Sequence, residues 1–265
     1  MTDAGSVWFD GRMDVGGRRL YARCVGSGAP PVVFDNGLAT PLAQWGSVPA
    51  AVAAETTVLT YDRAGVGHSD LAQTPRTSRQ IVADLRALLG KLDLRPPYVL
   101  VGHSFGGLNM RCFASLYPED VRGLVLVDSL SANLDSFIRF VEVVPPEHRD
   151  AAVAFETGQN EEGVDLEGSR AQVRQLPSLP DVPLVVLTAA DTPAPAWWPA
   201  ATAVTTRIGV QAEVARLVPR GRQIVVPQSK HFIQRDQPAV VIDAVLSVVD
   251  EVRRALRLDN RPRKS

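Results

Sequence analysis

Short, unbroken apolar runs, each closed by a glycine or an acid, recur along this chain. They alternate with stretches whose apolar residues return every three or four positions. Pro31-Val32-Val33-Phe34-Asp35 ends at Asn36-Gly37, and Thr57-Val58-Leu59-Thr60-Tyr61 ends at Asp62-Arg63-Ala64-Gly65-Val66-Gly67. Such runs, too short for helices and without polar alternation, predict strands buried on both faces, as in a parallel sheet covered by helices. Upstream, residues 7–15 and 19–25 flank Gly16-Gly17, which predicts an antiparallel hairpin. Between Thr77 and Leu92, the apolar residues Ile81, Val82, Leu85, Leu88, Leu89 and Leu92 keep helical spacing and define one buried stripe. Further strands are predicted at 122–127, closing at Asp128, at 182–188 and at 222–226, and a last helix at 240–256. Strands alternating with helices predict an α/β fold: a doubly wound, mostly parallel sheet formed by one domain over residues 1–265. The rhythm breaks once, over residues 129–181, and so long a connection in such a fold is normally functional.

The most informative stretch lies between two of these elements. Gly102-His103-Ser104-Phe105-Gly106 is a G-x-S-x-G pentapeptide, preceded by the buried strand Pro97-Tyr98-Val99-Leu100-Val101 and followed by a helix over 107–117 that ends at Pro118. Strand, sharp turn and helix are the context of a nucleophile elbow. The residues two positions either side of the serine must be nearly free of side chain, so that the hydroxyl stands clear of the sheet. The helix N-terminus behind it then offers amide N–H groups to a developing oxyanion.

A serine hydroxyl is a weak nucleophile at neutral pH and needs a base, itself oriented by a carboxylate. The chain has four histidines. His103 belongs to the elbow and is expected to point into the packing around the turn, His68 lies in the glycine loop, and His148 lies in the insertion. His231 follows the last predicted strand, and the carboxyl ends of strands are where active-site groups gather in open α/β sheets. His231 is therefore the expected base. Two acids compete to orient it. Asp128 ends the apolar run 124–127, where an unpartnered carboxylate would be costly to bury; Asp191 follows the next strand. The need for a partner favours Asp128, which a histidine N–H would supply.

The order Ser104, acid, His231, together with the elbow and the glycine loop, resembles the α/β-hydrolase superfamily over nearly the whole chain. Within it, 61–70, 102–111, 124–129 and His231-Phe232-Ile233-Gln234 resemble a bacterial branch of serine hydrolases. That resemblance implies an oxyanion hole made by two backbone amides. One is that of Phe105, after the nucleophile; the other is that of Leu38, in Asn36-Gly37-Leu38, where the family usually carries histidine in place of Asn36. In the family the later acid is the commoner one, but the glycine that normally precedes it is missing before Asp191. The glycine loop 62–70 lacks a P-loop lysine and a third glycine, and in the family is a structural turn.

The insertion 129–181 holds Phe137, Ile138, Phe140, Val141 and Val144 at helical spacing, so a short amphipathic helix can form a small lid over the serine or simply pack on the core. Phe137, Phe140 and, on the loop after the next strand, Trp197 are candidate substrate-binding residues. Composition adds limits. The 265 residues carry a formal net charge of −1, with 45 % hydrophobic and 22 % charged residues. That balance is ordinary for a globular protein and gives no global field for nucleic acid or an anionic membrane. Cys24 and Cys112 fit neither a disulfide framework nor a zinc site. The N-terminus lacks a signal-peptide pattern and no window matches a membrane span, so the expected location is cytoplasmic. The expected function is a serine hydrolase that acts without cofactor or metal on an ester, lactone or thioester of a small to medium apolar molecule, through an acyl-enzyme. The alternatives are lyase, cyclase or C–C bond-cleaving chemistry by the same triad, or ligand sensing with little turnover.

Overall fold

The computed structural model describes residues 6–133, 141–142, 144–150, 153, 160–191 and 200–259. Among the described residues, eight strands form one sheet in the order β1-β2-β4-β3-β5-β6-β7-β8. They are β1 Val7–Asp14, β2 Arg19–Val25, β3 Val32–Asp35, β4 Val58–Tyr61, β5 Tyr98–His103, β6 Val121–Val127, β7 Leu184–Ala189 and β8 Gly221–Val226. The β1–β2 hairpin is antiparallel and β2 runs antiparallel to β4; every other pairing is parallel. This is the doubly wound, mostly parallel sheet that the strand–helix alternation predicts.

The unbroken apolar runs are the central strands. All residues of β3, β4, β5 and β7 are buried, because helices cover both faces of the sheet. Successive residues alternate between two cores. Val33, Leu59, Leu100, Leu124 and Val186 pack on one face, whereas Phe34, Val58, Val101, Val125 and Val185 pack on the other. Against the first core lie α2 (Ser78–Lys91) and α3 (Phe105–Leu116), and Ile81, Val82, Leu85, Leu88 and Leu89 form the predicted stripe. Against the second lie α1 (Val48–Ala53) and the last helix, α7 (Pro238–Asp259), through Val241, Val245, Val248 and Val252. Cys24 and Cys112 are free, buried thiols in the first core, and burial pushes both up to about 12.

Among the described residues, three helices longer than one turn are not evident in the apolar spacing. Besides α1, they are α4 (Leu166–Gln175), on the return from the long β6–β7 connection, and α5 (Ala200–Ala215), between β7 and β8. A one-turn helix, α6 (Ile233–Asp236), precedes α7. The parallel strands all deliver their carboxyl ends to one edge of the sheet. Asn36 follows β3, Ser104 follows β5, Asp128 follows β6, and His231 lies in the loop after β8. That edge is where ligands bind in open α/β sheets.

Candidate active site

Ser104 sits between β5 and α3 with φ 52° and ψ −119°. A non-glycine residue in that region stores about 1–3 kcal/mol of strain, and persists only where its surroundings over-determine it. Three main-chain hydrogen bonds do so. Ser104 N–H donates to the Val127 carbonyl at 3.0 Å, and the Ser104 carbonyl accepts from the amides of Gly107 and Leu130 at 3.0 and 2.9 Å. The spacing of the motif has a steric cause. A Cβ on Gly102 would lie 2.5 Å from the Gly106 carbonyl oxygen, and one on Gly106 would lie 2.3 Å from that of Asp35. Helix, strand and β3 loop are thus pressed together around the serine. Phe105 is the first residue of α3, so its N–H is one of the amides that a helix start leaves without an intrahelical acceptor.

On the neighbouring strand ends, His231 Nδ1 lies 2.7 Å from Asp128 Oδ2. Asp128 is buried, with its carboxylate only 2 % exposed. Its other contacts are Arg207 Nη1, which donates to the same Oδ2 at 2.6 Å, and the Ala189 amide, which donates to Oδ1 at 3.2 Å. Burial pushes the Asp128 pKa up, but His231, Arg207 and the Ala189 amide outweigh it and hold the carboxyl below its ordinary value. An ionised Asp128 accepts the Nδ1 proton of His231, which leaves Nε2 as the basic nitrogen. Asp191 is elsewhere: it is exposed, and its amide donates to the Ser229 carbonyl at 2.9 Å.

The loop bearing His231 is held from beneath by His103, the residue before the serine. The two imidazole centroids are 4.6 Å apart, and His103 Nε2 lies 2.9 Å from the His231 carbonyl, to which it donates. Nδ1 is then the acceptor, taking a hydrogen bond from Gln44 Nε2 at 2.8 Å. Burial, then the nearby His231, lower the pKa of His103 to about 3, so the buried ring is neutral. The unfolded chain, with a histidine pKa near 6.5, binds a proton that the folded protein refuses. Stability contributed by neutral His103 is full above about pH 6.5 and is lost as pH falls toward about 3, at about 1.4 kcal/mol per pH unit. Urea denaturation at pH 7 and pH 4.5 checks this. The loss of stability between the two is expected to be smaller by about 2–3 kcal/mol in His103→Gln than in the wild type.

Asn36, in the position where the resemblance expects histidine, is fully buried and its side chain is committed to the fold. Trp45 Nε1 donates to its Oδ1 at 2.7 Å, and its Nδ2 donates to the Tyr61 carbonyl at 2.9 Å. Gly37 follows against the elbow, where a Cβ would lie 2.8 Å from His103 Nδ1. Behind this loop, the guanidinium of Arg63 is buried and spends all five of its N–H donors. Nε and Nη2 grip Glu162, Nη1 reaches Asp35 and the Asn36 carbonyl, and Nη2 also reaches the Gly37 carbonyl, at 2.6–2.8 Å. Burial alone would favour a neutral guanidinium, but Glu162 and Asp35 prevail and hold the Arg63 pKa well above its ordinary value.

The structure therefore gathers Ser104, Phe105, Leu38, Asp128 and His231 at one edge of the sheet. Phe137, Phe140 and Trp197 lie outside the described residues. Neither the motifs nor the apolar spacing of the sequence marks Arg207, Arg63, Glu162 or Gln44 as site residues. For Arg63 a signal exists, since it follows the end of a buried parallel strand; Arg207 sits on a helix whose apolar spacing does not announce it.

The α/β-hydrolase fold family model matches residues 30–162, and the chain belongs to that family. Among curated proteins it is similar to YqjL of Bacillus subtilis (strain 168), an uncharacterized protein, with 27 % identity over 255 residues that cover 92 % of this chain and 93 % of YqjL. Among solved structures it is similar to a thermophilic esterase from Thermogutta terrifontis, with a TM-score of 0.64 and 20 % identity, covering 93 % of this chain and 99 % of the esterase. It is also similar to the enol-lactonase from Burkholderia xenovorans LB400, with a TM-score of 0.63 and 19 % identity, covering 90 % of this chain and 99 % of the lactonase. At those identities the likeness is one of fold. No described helix is long and apolar enough to cross a membrane.

Proposed function

We propose that this protein is a cofactor-independent serine hydrolase that cleaves an ester, lactone or thioester of a small to medium apolar molecule through an acyl-enzyme. The observation that carries the reading is the 2.7 Å contact between His231 Nδ1 and the buried Asp128 carboxylate, on the strand ends beside a serine held in a strained turn. Ser104 Oγ attacks the carbonyl carbon while His231 Nε2 takes its proton, and the carbonyl oxygen becomes an oxyanion between the amides of Leu38 and Phe105. Collapse expels the alcohol or thiol, which leaves with the proton from His231. Water, activated by the same nitrogen, then attacks the acyl carbon and releases the acid and Ser104. Arg207 and the Ala189 amide keep Asp128 ionised, so that it orients the imidazole and stabilises the imidazolium.

The segment 129–181 supplies a lid over this site, while its return packs on the first core through Val164, Leu166 and Val173, and Phe137, Phe140 and Trp197 line the pocket for the apolar part of the substrate. The support for Phe137 and Phe140 is the helical spacing of apolar residues within the connection that breaks the α/β rhythm, and for Trp197 its place on the loop after β7, beyond the carboxyl end of a parallel strand. The protein works in the cytoplasm on a free small molecule. The test is turnover of a panel of acetate, butyrate and octanoate esters, a γ-lactone and an acyl thioester. Saturable hydrolysis of one of these classes is expected; no turnover of any would reject the reading. Within the panel, Phe137→Ala and Phe140→Ala are expected to lower kcat/KM for octanoate about 10- to 100-fold, since each lost aromatic contact is worth roughly 1–3 kcal/mol. Acetate esters, too short to reach the lid, should be nearly unaffected. Equal losses on both would place these side chains in the core.

A further inference from the structure

The buried ion cluster behind the loop after β3 has no part in the proton relay, yet it reaches the peptide on which the oxyanion would depend. Arg63 Nη2 donates to the Gly37 carbonyl at 2.7 Å, and Thr40 Oγ1 donates to the same oxygen at 2.7 Å. A trans peptide carries its C=O and its following N–H in opposite directions. Pinning the Gly37 oxygen toward Arg63 therefore aims the Leu38 N–H the other way. The loop itself lies against the elbow, since Gly106 has room for no Cβ beside the Asp35 and Asn36 carbonyls.

Arg63 is in turn held by Glu162. Both carboxylate oxygens accept from it: Oε1 from Nε at 2.6 Å and Oε2 from Nη2 at 2.8 Å. Oε2 also accepts from the amide of Ala39 at 2.8 Å, a residue held at φ 52°. Glu162 thus grips the same loop twice, once through Arg63 and once directly. Its own position is fastened. Asn160 Oδ1 and Nδ2 bond the amide and carbonyl of Val164, Arg76 N–H donates to the Gly163 carbonyl, and Asp165 N–H donates to the Arg76 carbonyl. This is far more order than a solvated acid in a long connection requires, and Glu162 is buried.

We propose that Glu162, acting through Arg63 and the Ala39 amide, is a positioning residue that pre-aims the Leu38 N–H for the oxyanion. The proposal rests on the hydrolase reading and deepens it: the long β6–β7 connection contributes to transition-state stabilisation as well as to any cover over the pocket. A donor fixed before the reaction costs no reorganisation when charge develops. Loosening it should therefore weaken binding of the transition state and leave binding of the substrate alone.

Glu162→Gln is the sharpest probe, because it is isosteric and both of its terminal atoms face N–H donors. Whichever way the amide turns, its NH₂ opposes Arg63, and in one orientation Ala39 as well. Removal of a whole oxyanion donor typically costs about 10²–10³ in kcat. Misaiming one of two is expected to lower kcat about 10- to 100-fold with KM within about threefold. The loss should be equal for acetate and octanoate esters, and the inhibition constant of a trifluoromethyl ketone should rise by the same factor as kcat/KM falls. Glu162→Asp keeps the charge but shortens the reach. It is expected to lose about 3- to 10-fold in kcat with the same KM pattern, and it decides the matter should the glutamine variant aggregate. Unchanged kcat in folded variants, or a loss seen wholly in KM, would overturn the proposal while the hydrolase reading stands. A wild-type protein with no turnover on the panel would overturn both.

Discussion

Ser104→Ala is expected to lower kcat by about 10⁵–10⁶-fold and leave the melting temperature within about 2 °C of the wild type. The size of the kinetic effect reflects how a nucleophile and its base act as one unit, so that losing the nucleophile alone costs nearly as much as losing both. The small structural effect has a local cause. What holds the turn is main chain, namely the bonds of Ser104 N–H to Val127 and of the Ser104 carbonyl to Gly107 and Leu130. Alanine keeps all three and tolerates φ 52° about as poorly as serine does, so the strain carries over unchanged. Initial rates on the best ester of the panel and a thermal melt decide the outcome. Activity retained within tenfold, in a protein of unchanged stability, would remove Ser104 from the reaction.

The acid gives the second large effect. Asp128→Asn is expected to lower kcat by about 10³–10⁴-fold, because an amide at that position can hold His231 in the tautomer whose Nε2 carries a proton and cannot act as base. The substitution also leaves the Arg207 guanidinium without the carboxylate that it meets at 2.6 Å. A modest fall in melting temperature should therefore accompany the kinetic loss, since a charged group is then left without its partner. Asp191→Asn is expected to change kcat by less than about threefold, as its carboxylate is exposed to solvent and surface changes of this kind are nearly neutral. Steady-state kinetics of the two variants side by side make the comparison. The reverse ranking would move the acid to the loop after β7.

Much of this arrangement is legible in the sequence, and the reason differs by element. The central strands announce themselves because both faces of the sheet are covered. Every residue of β3, β4, β5 and β7 must then be compatible with burial, and no polar alternation interrupts the runs. Ser104 is legible because steric demands on Gly102 and Gly106 write a fixed spacing into the chain. Asp128 draws attention because a carboxylate at the end of an apolar run needs a partner. Helix α5 escapes because Thr202, Val204, Thr205, Thr206 and Val210 are β-branched and Gly209 interrupts them, so propensity and spacing both point away from a helix that tertiary packing on β7 and β8 nonetheless stabilises. Arg207 escapes with it. Glu162 looks like one acid among many in the connection 129–181, and its role depends on a contact with Arg63, 99 positions away, that no local pattern encodes. His103 shows a milder form of the same limit. Its place in the packing around the elbow follows from the motif, but its hydrogen bond to the His231 carbonyl depends on where the loop after β8 returns.

In the proposed function, Ser104 is a nucleophile activated by His231. Intact-protein mass spectrometry after exposure to a fluorophosphonate, with peptide mapping of the adduct, tests it most directly. One adduct per chain is expected on the wild-type protein, located at Ser104. No adduct is expected on Ser104→Ala, and labelling should slow by at least about 10³-fold on His231→Ala, since the hydroxyl is a poor nucleophile without its base. An adduct mapped to another residue, or a Ser104→Ala protein labelled at the wild-type rate, would contradict it.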